Sequence, residues 1–359
     1  MKKKLSLLAA LLACVFAFAA CSTRVTVALN RNWNADTAAY DGNFYEQLTY
    51  DVRFQEPETS TLNGLQYTAI AGSYKVTVEA VATHRTDENG ITANNVYHLT
   101  STQEMSGTIA DSDGNTIYAF GGDSGVPADT VTMEVWFRDV SEGLIPMDST
   151  ATFYSHTPLQ GGGIGIYSYT TRIVYNADAS SATVTVTDLS GSITENVEGN
   201  ERVAILAADN AGERTLSSLT DDYSVFDNAQ LEFMGRGLAF AADSSNTVTV
   251  VSAAGGAANV NLSCSEVVNS NYTFTLDGTS LANGESGSTA ISTCTVNFSL
   301  VNAGSNTGVT HTVYYANTAT SGNNTYRNLP LRKESPFAYG MGTLLYVLTD
   351  ATHTRPAAE

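Results

Sequence analysis

The chain has 359 residues, enough for one large core or two lobes, because single cores seldom grow beyond about 250–300 residues. It carries 36 acidic against 17 basic residues, a formal charge of −19. Such a surface repels phosphate backbones and anionic headgroups, which excludes nucleic acid as a partner and leaves the acidity a role in solubility.

The chain opens with Lys2, Lys3 and Lys4, a mostly apolar run over 5–20, and the closing residues Phe18-Ala19-Ala20-Cys21. A charged start, an apolar stretch and a small-residue cut site make an export signal. The run is too short and too alanine-rich for a membrane span, which needs about 20 strongly apolar residues. The Cys at the cut resembles the lipobox of bacterial lipoproteins. In that family the thiol takes a diacylglycerol and the Cys becomes the new N-terminus. Two acyl chains then hold the protein, since each buried methylene contributes ~0.8 kcal/mol. The resemblance implies lipidation at Cys21 and a place on the outer side of a membrane of the cell envelope. Leu11-Leu12-Ala13-Cys14 is a closer literal match, but a cut there leaves a very short apolar stretch, so Cys21 is preferred. The plainer alternative is an ordinary signal peptide with an incidental Cys. Residues 21–43 are polar and aperiodic and read as a tether.

From residue 44 the chain reads as strand after strand. Alternation of polar and apolar residues, rich in Val, Thr and Tyr, predicts strands over 45–54, 73–81, 96–105, 130–137, 151–155, 167–175 and 182–187. The second half adds 246–251, 259–268, 272–276, 292–301, 310–315, 329–334 and 344–348. Turn chemistry joins them at Asp87-Glu88-Asn89-Gly90, Asp111-Ser112-Asp113-Gly114, Asp277-Gly278 and Ala282-Asn283-Gly284. One short helix is expected, with Ser224 and Asp227 as its capping box, Phe226, Ala229 and Phe233 on one face, and Gly235 and Gly237 as its stop. The predicted organisation is an N-terminal β lobe (44–190), a connection (191–222), a C-terminal β lobe opened by the helix (223–350) and a tail (351–359). The fold class is all-β, with curved antiparallel sheets in half-barrel or sandwich-like meanders.

Cys264 and Cys294 remain once the leader and Cys21 are set aside. Each lies in a predicted strand, and outside the cytoplasm an even pair reads as a disulfide, although two buried thiols are the alternative. Closing a loop of about 30 residues would stabilise the fold by ~3–4 kcal/mol in the chain-entropy model. No further Cys or His lies near enough for a zinc site.

A faint repeat runs through the chain. Val135-Trp136-Phe137 is followed by a loop and Ile145-Pro146-Met147; Val313-Tyr314-Tyr315 is followed by a loop six residues longer and Leu329-Pro330-Leu331. Adjacent strand residues point to opposite faces, so one aromatic of each pair should enter a core while its neighbour meets solvent or ligand. Each proline is expected to open the returning strand, where no ladder bond is needed.

Asp227-Asn228-Ala229-Gln230-Leu231 through Arg236, the apolar strand near 248–251 and Cys294-Thr295-Val296 form one part of a wider pattern. Thr312-Val313-Tyr314-Tyr315, Leu329-Pro330-Leu331-Arg332 and the closing strand over 342–348 complete it. Together, across roughly residues 125–350, they resemble exported bacterial proteins of the domain-of-unknown-function 3108 type. The resemblance implies an open half-barrel akin to periplasmic lipoprotein carriers. It brings no catalytic motif, and this chain departs from it in its few lysines and its long Gly- and Ser-rich loops.

Candidate chemistry is thin. Gly121-Gly122-Asp123-Ser124-Gly125 is similar to a serine-protease nucleophile turn, but His84 lies too close in sequence for the two-barrel arrangement such a site needs. Asp111-Ser112-Asp113-Gly114-Asn115 has calcium-loop spacing, yet Ala119 and Gly122 stand where later ligands belong, and a plain turn is expected. Gly161-Gly162-Gly163-Ile164-Gly165 lacks the Lys and helix of a phosphate loop. His84, His98, His156, His311 and His353 are scattered, and pairs such as Asp221-Asp222 arise by chance among so many acids. Tyr97, Tyr167 and Tyr169 read as cross-strand packing. No catalytic, cofactor-binding or metal residue is assigned. The leading reading is a non-catalytic, lipid-anchored protein holding an apolar or amphipathic ligand on a curved sheet. An adhesion or carbohydrate-binding module and a hydrolase assembled from distant strands are the alternatives.

Overall fold

The structure, a computed structural model, describes residues 42–55, 64–85, 90–140, 143–158, 163–188, 212–220, 223–238, 240–253, 255–282, 291–302, 305–321, 324–337 and 341–356. The leader 1–20, Cys21, the tether as far as 41, the connection over 191–211, Asp221-Asp222, Gly161-Gly162 and the turns at 86–89 and 283–290 lie outside the described residues.

Among the described residues there are nineteen strands. The first nine are β1 (Tyr45–Gln55), β2 (Leu65–Tyr67), β3 (Ala71–Arg85), β4 (Thr92–Asp111), β5 (Thr116–Phe120), β6 (Asp129–Val140), β7 (Gly143–Pro158), β8 (Ile164–Tyr175) and β9 (Ala182–Asp188). Then come β10 (Gly212–Leu216), β11 (Val225–Asp227), β12 (Ser245–Ser252), β13 (Gly256–Ser270), β14 (Thr273–Leu276) and β15 (Thr279–Ala282). The last four are β16 (Ile291–Asn302), β17 (Ser305–Ser321), β18 (Asn324–Pro336) and β19 (Thr343–Thr352). Every strand read from alternation is present. β1 shows why: Leu48, Tyr50 and Val52 are buried, while Asp51 and Arg53 between them are exposed.

The main ladder runs β10-β9-β8-β7-β6-β4-β3-β1-β19-β18-β17-β16-β13-β12 and is antiparallel at each step. β11 adds to β12 in parallel. β1 lies between β3 and β19, so the first and last strands meet in the middle of one continuous sheet. The sheet curls until its ends face each other. Among the described residues no backbone ladder closes it, and side chains bring the ends together. Ile173, Tyr175, Val184 and Val186 from one end share a small core with Val225 and Val251 from the other, and Arg214 donates to the Ala253 carbonyl.

The expected helix exists but is shorter, and its cap is different. Val225–Asp227 is strand, so Phe226 belongs to β11 and Ser224 precedes that strand rather than the helical segment. Asp227 is the N-cap: its side chain accepts from Ala229 N at 2.8 Å, and Gln230 accepts from Asp227 N. A 3₁₀ turn (Asn228–Gln230), α1 (Leu231–Met234) and a second 3₁₀ turn (Gly235–Gly237) follow. This segment is a plug inside the curl. Phe233 packs on Phe44 and Phe137 with centroids 6.3 and 5.7 Å apart, Arg236 pairs with Glu46, and Asn328 donates to the Leu238 carbonyl at 2.5 Å. Gly235 permits the fit, because a Cβ there would lie 2.2 Å from the Tyr315 hydroxyl. The protein's own chain therefore fills the centre of the concave face.

The two aromatic hairpins match element for element. β6–β7 lies in the meander β4-β6-β7-β8, and β17–β18 lies in β16-β17-β18-β19. Phe137 pairs with Pro146 and Tyr315 with Pro330, and both registers shift one residue earlier, at Trp136/Phe137 and Tyr314/Tyr315. Phe137 and Tyr315 are fully buried against the plug, while Trp136 and Tyr314 lie half-buried on the other face. Two details differ from expectation. The prolines sit at bulges within the returning strands, just before β8 and β19 join them, so a missing N–H breaks no outer ladder bond. The six extra residues of the second hairpin lengthen its strands rather than its loop.

Candidate functional site

Where the two sheet ends meet, a cleft of about 220 Å³ remains. Its wall is built from adjacent rows of inward-facing residues. Met133, Ala151, Thr171 and Val186 form one row across β6, β7, β8 and β9, with Phe153 and Tyr169 in the next. Phe153 and Tyr169 stand directly opposite each other and stack at 4.5 Å. Val251, Ser252 and Ala253 of the β12–β13 corner face them from the other end. An apolar cavity of about 150 Å³ accepts benzene, so this space suits a small ring or the end of a short chain. A second hollow of about 340 Å³ is lined by Ser217, Ser218, Thr249 and Asn259 along with Leu219, Leu300 and Val301, and has no aromatic wall.

One charged group stands in the cleft wall. Asp227 is 2% exposed, and its carboxylate accepts from Ser149 Oγ at 2.6 Å, Tyr175 Oη at 2.8 Å and Ala229 N. Burial pushes its pKa above the ordinary carboxylate range; those three donors work against the shift, and nearby Asp148 adds to it. Burial likewise drives the Tyr175 hydroxyl well above its usual value, with the Asp227 charge acting the same way.

Four histidines contact carboxylates elsewhere among the described residues, His98 meeting Glu134 at 3.3 Å. His156 Nδ1 meets Asp129 Oδ1 at 2.6 Å, fully buried among Tyr118, Phe120 and Tyr154. His84 Nε2 meets Asp148 at 2.7 Å, and Trp136 stacks on both His84 and His98 at 4.2 and 3.8 Å. His353 joins Asp277 and Glu46 in a buried network with Arg236 and Tyr326. None of these lines the cleft. Trp136 carries imidazoles on its ring instead of offering an open platform.

The sequence candidates are not brought together. His84 binds Asp148, while Ser124 is exposed and bonds within its own turn to Val126. Asp111 uses its carboxylate to close its turn, accepting from the backbone of Asp113 and Asn115 and from the Asn115 amide. Tyr97 is core, and Tyr169 forms cleft wall. Cys264 and Cys294 lie on neighbouring strands, diagonal across a bulge, with sulfurs 2.7 Å apart. Asp227 escaped notice as a site residue because its sequence role read as part of a cap. The signal for it was its place between a buried strand and an apolar turn.

No family model matches the chain, and no curated protein matches it. Among solved structures it is similar to a β-barrel-like protein of domain of unknown function DUF1849 from Brucella abortus. The two share 7% identity and a TM-score of 0.45, over 87% of this chain and 98% of that one.

Proposed function

We propose that this protein is an exported, lipid-anchored binding protein without catalytic function, which holds a small apolar or amphipathic ligand in the cleft between the ends of its curled sheet. The observation that carries the reading is the apolar wall of Met133, Phe153, Tyr169, Ile173, Val186 and Val251 around about 220 Å³ of space. Cys21 supplies the anchor, and the polar residues 22–43 lift the sheet from the bilayer. The ligand is smaller than a sheet-wide concave face would hold, because the plug takes the centre of that face.

The test is ligand-observed NMR with ethylbenzene on the mature chain carrying Cys21→Ala. Binding should saturate in the parent and vanish in Ala151→Trp, whose indole would fill the cleft between Met133 and Thr171. Undiminished binding in Ala151→Trp, with the variant folded, would move the site elsewhere. Native mass spectrometry of protein taken from membranes would identify a co-purifying ligand.

A further inference from the structure

The apolar wall of the cleft carries a buried carboxylate, Asp227, with no cation paired to it. Among the described residues, no Lys, Arg or His forms an ion pair with Asp227. Its partners Ser149, Tyr175 and the Ala229 amide are all neutral donors, and a second carboxylate, Asp148, acts on it with the same sign. A buried carboxylate without a cation is unfavourable. A carboxylate offers about four acceptor sites, so one remains after these three donors.

We propose that Asp227 makes the cleft selective for a ligand with a protonated amine on a small apolar body, the amine occupying the remaining acceptor site and the body lying on Phe153 and Tyr169. The inference rests on the cleft being a binding site and adds the charge of its ligand. An amine there supplies the missing counter-charge in a low-dielectric setting, where a charge-assisted hydrogen bond is strongest. A ligand carboxylate would instead meet the Asp227 carboxylate. Fatty acids and other anionic amphiphiles are therefore the class this cleft rejects.

The experiment compares phenethylamine, ethylbenzene and hydrocinnamate, three probes of similar body and different charge, on the mature Cys21→Ala chain. Molar salt brings the Debye length to about 3 Å and screens the chain's overall negative charge. Phenethylamine should bind about tenfold or more tighter than ethylbenzene, and hydrocinnamate more weakly than ethylbenzene. Asp227→Asn should erase that ranking while leaving ethylbenzene within about threefold, and Ser149→Ala, which keeps the carboxylate, should preserve it. Equal binding of the amine and the hydrocarbon, or a preference that survives Asp227→Asn, overturns the selectivity while leaving the apolar cleft intact. Failure of all three probes to bind overturns both. Should Asp227→Asn not fold, the ranking in the parent and in Ser149→Ala decides the matter.

Discussion

Replacing Arg236 by Met tests whether the plug is locked to the sheet by charge. The Arg236 side chain is fully buried, and its Nη2 lies 2.7 Å from Glu46 Oε2, itself only 1% exposed. The same Glu46 oxygen contacts His353 Nε2 at 2.9 Å. Removing Arg236 leaves a buried carboxylate with an imidazole as its nearest cation. Breaking one side of such a pair typically destabilises by about 3–5 kcal/mol, which in a chain of this size lowers Tm by on the order of 5–10 °C. Glu46→Gln combined with Arg236→Met removes both charges and should recover part of the loss. Urea denaturation of all four proteins gives the coupling energy, which should be at least about 1 kcal/mol for groups in contact. Arg236→Met costing less than about 1 kcal/mol, or strict additivity across the cycle, would refute the idea that this pair holds the plug.

Three further outcomes are expected. Cys264 and Cys294 should be bridged in the exported protein, so alkylation without reductant should add no mass there; two labelled thiols would contradict this. Cys21→Ala should release the protein from membranes, and continued incorporation of labelled palmitate would show that Cys21 is not the anchor. Stability should peak between about pH 4 and 6.5, through the Asp277–His353 contact. Hydrogen bonds from His353 and Tyr326 outweigh burial and hold Asp277 at about 2, so its contribution is present above the ordinary carboxylate value and is lost as pH falls through about 2. Burial opposes charge on His353, yet its bonds to Asp277 and Glu46 prevail and raise its pKa, so its contribution is present below 6.5 and is lost as pH rises through the raised value. His353→Gln should flatten the alkaline side of that profile, and an unchanged slope above pH 6.5 would rule the contact out.

The long strands were legible because half-buried strands write their burial into the sequence every second residue, as β1 does with Leu48, Tyr50 and Val52. The five missed strands, β2, β5, β10, β11 and β15, are three to five residues long, too short to show a period. β11 was also disguised: Phe226, Ala229 and Phe233 are spaced as on a helix, but Phe226 is held by pairing with Val250, a contact with no local signature. The aromatic–proline hairpins could be found because a bulge needs residues of particular kind at fixed spacing. The plug's position and the cleft beside it could not, since both arise from where the curl brings β7 and β8 to face β11 and β12. Asp227 shows the limit. Its capping chemistry is local and was half seen, while its exposure to an apolar space depends on strands 78 and 52 residues away, through Ser149 and Tyr175.

β1 gains one neighbour soon after it is made, when Tyr50 pairs with Tyr74 of β3, but the other arrives only with the last strand. Thr349 reaches back to the Thr49 carbonyl across 300 residues of sequence. A chain emerging N-terminus first would thus keep a bare edge down the middle of its sheet until almost the whole length had appeared. Contacts of such separation form slowly, and bare edges invite association with other chains. Loss of β19 (Thr343–Thr352) would not trim the molecule at its margin; it would divide it at the centre and create two sticky edges in place of one seam. Only a chain that includes β19 can hide the middle of this sheet.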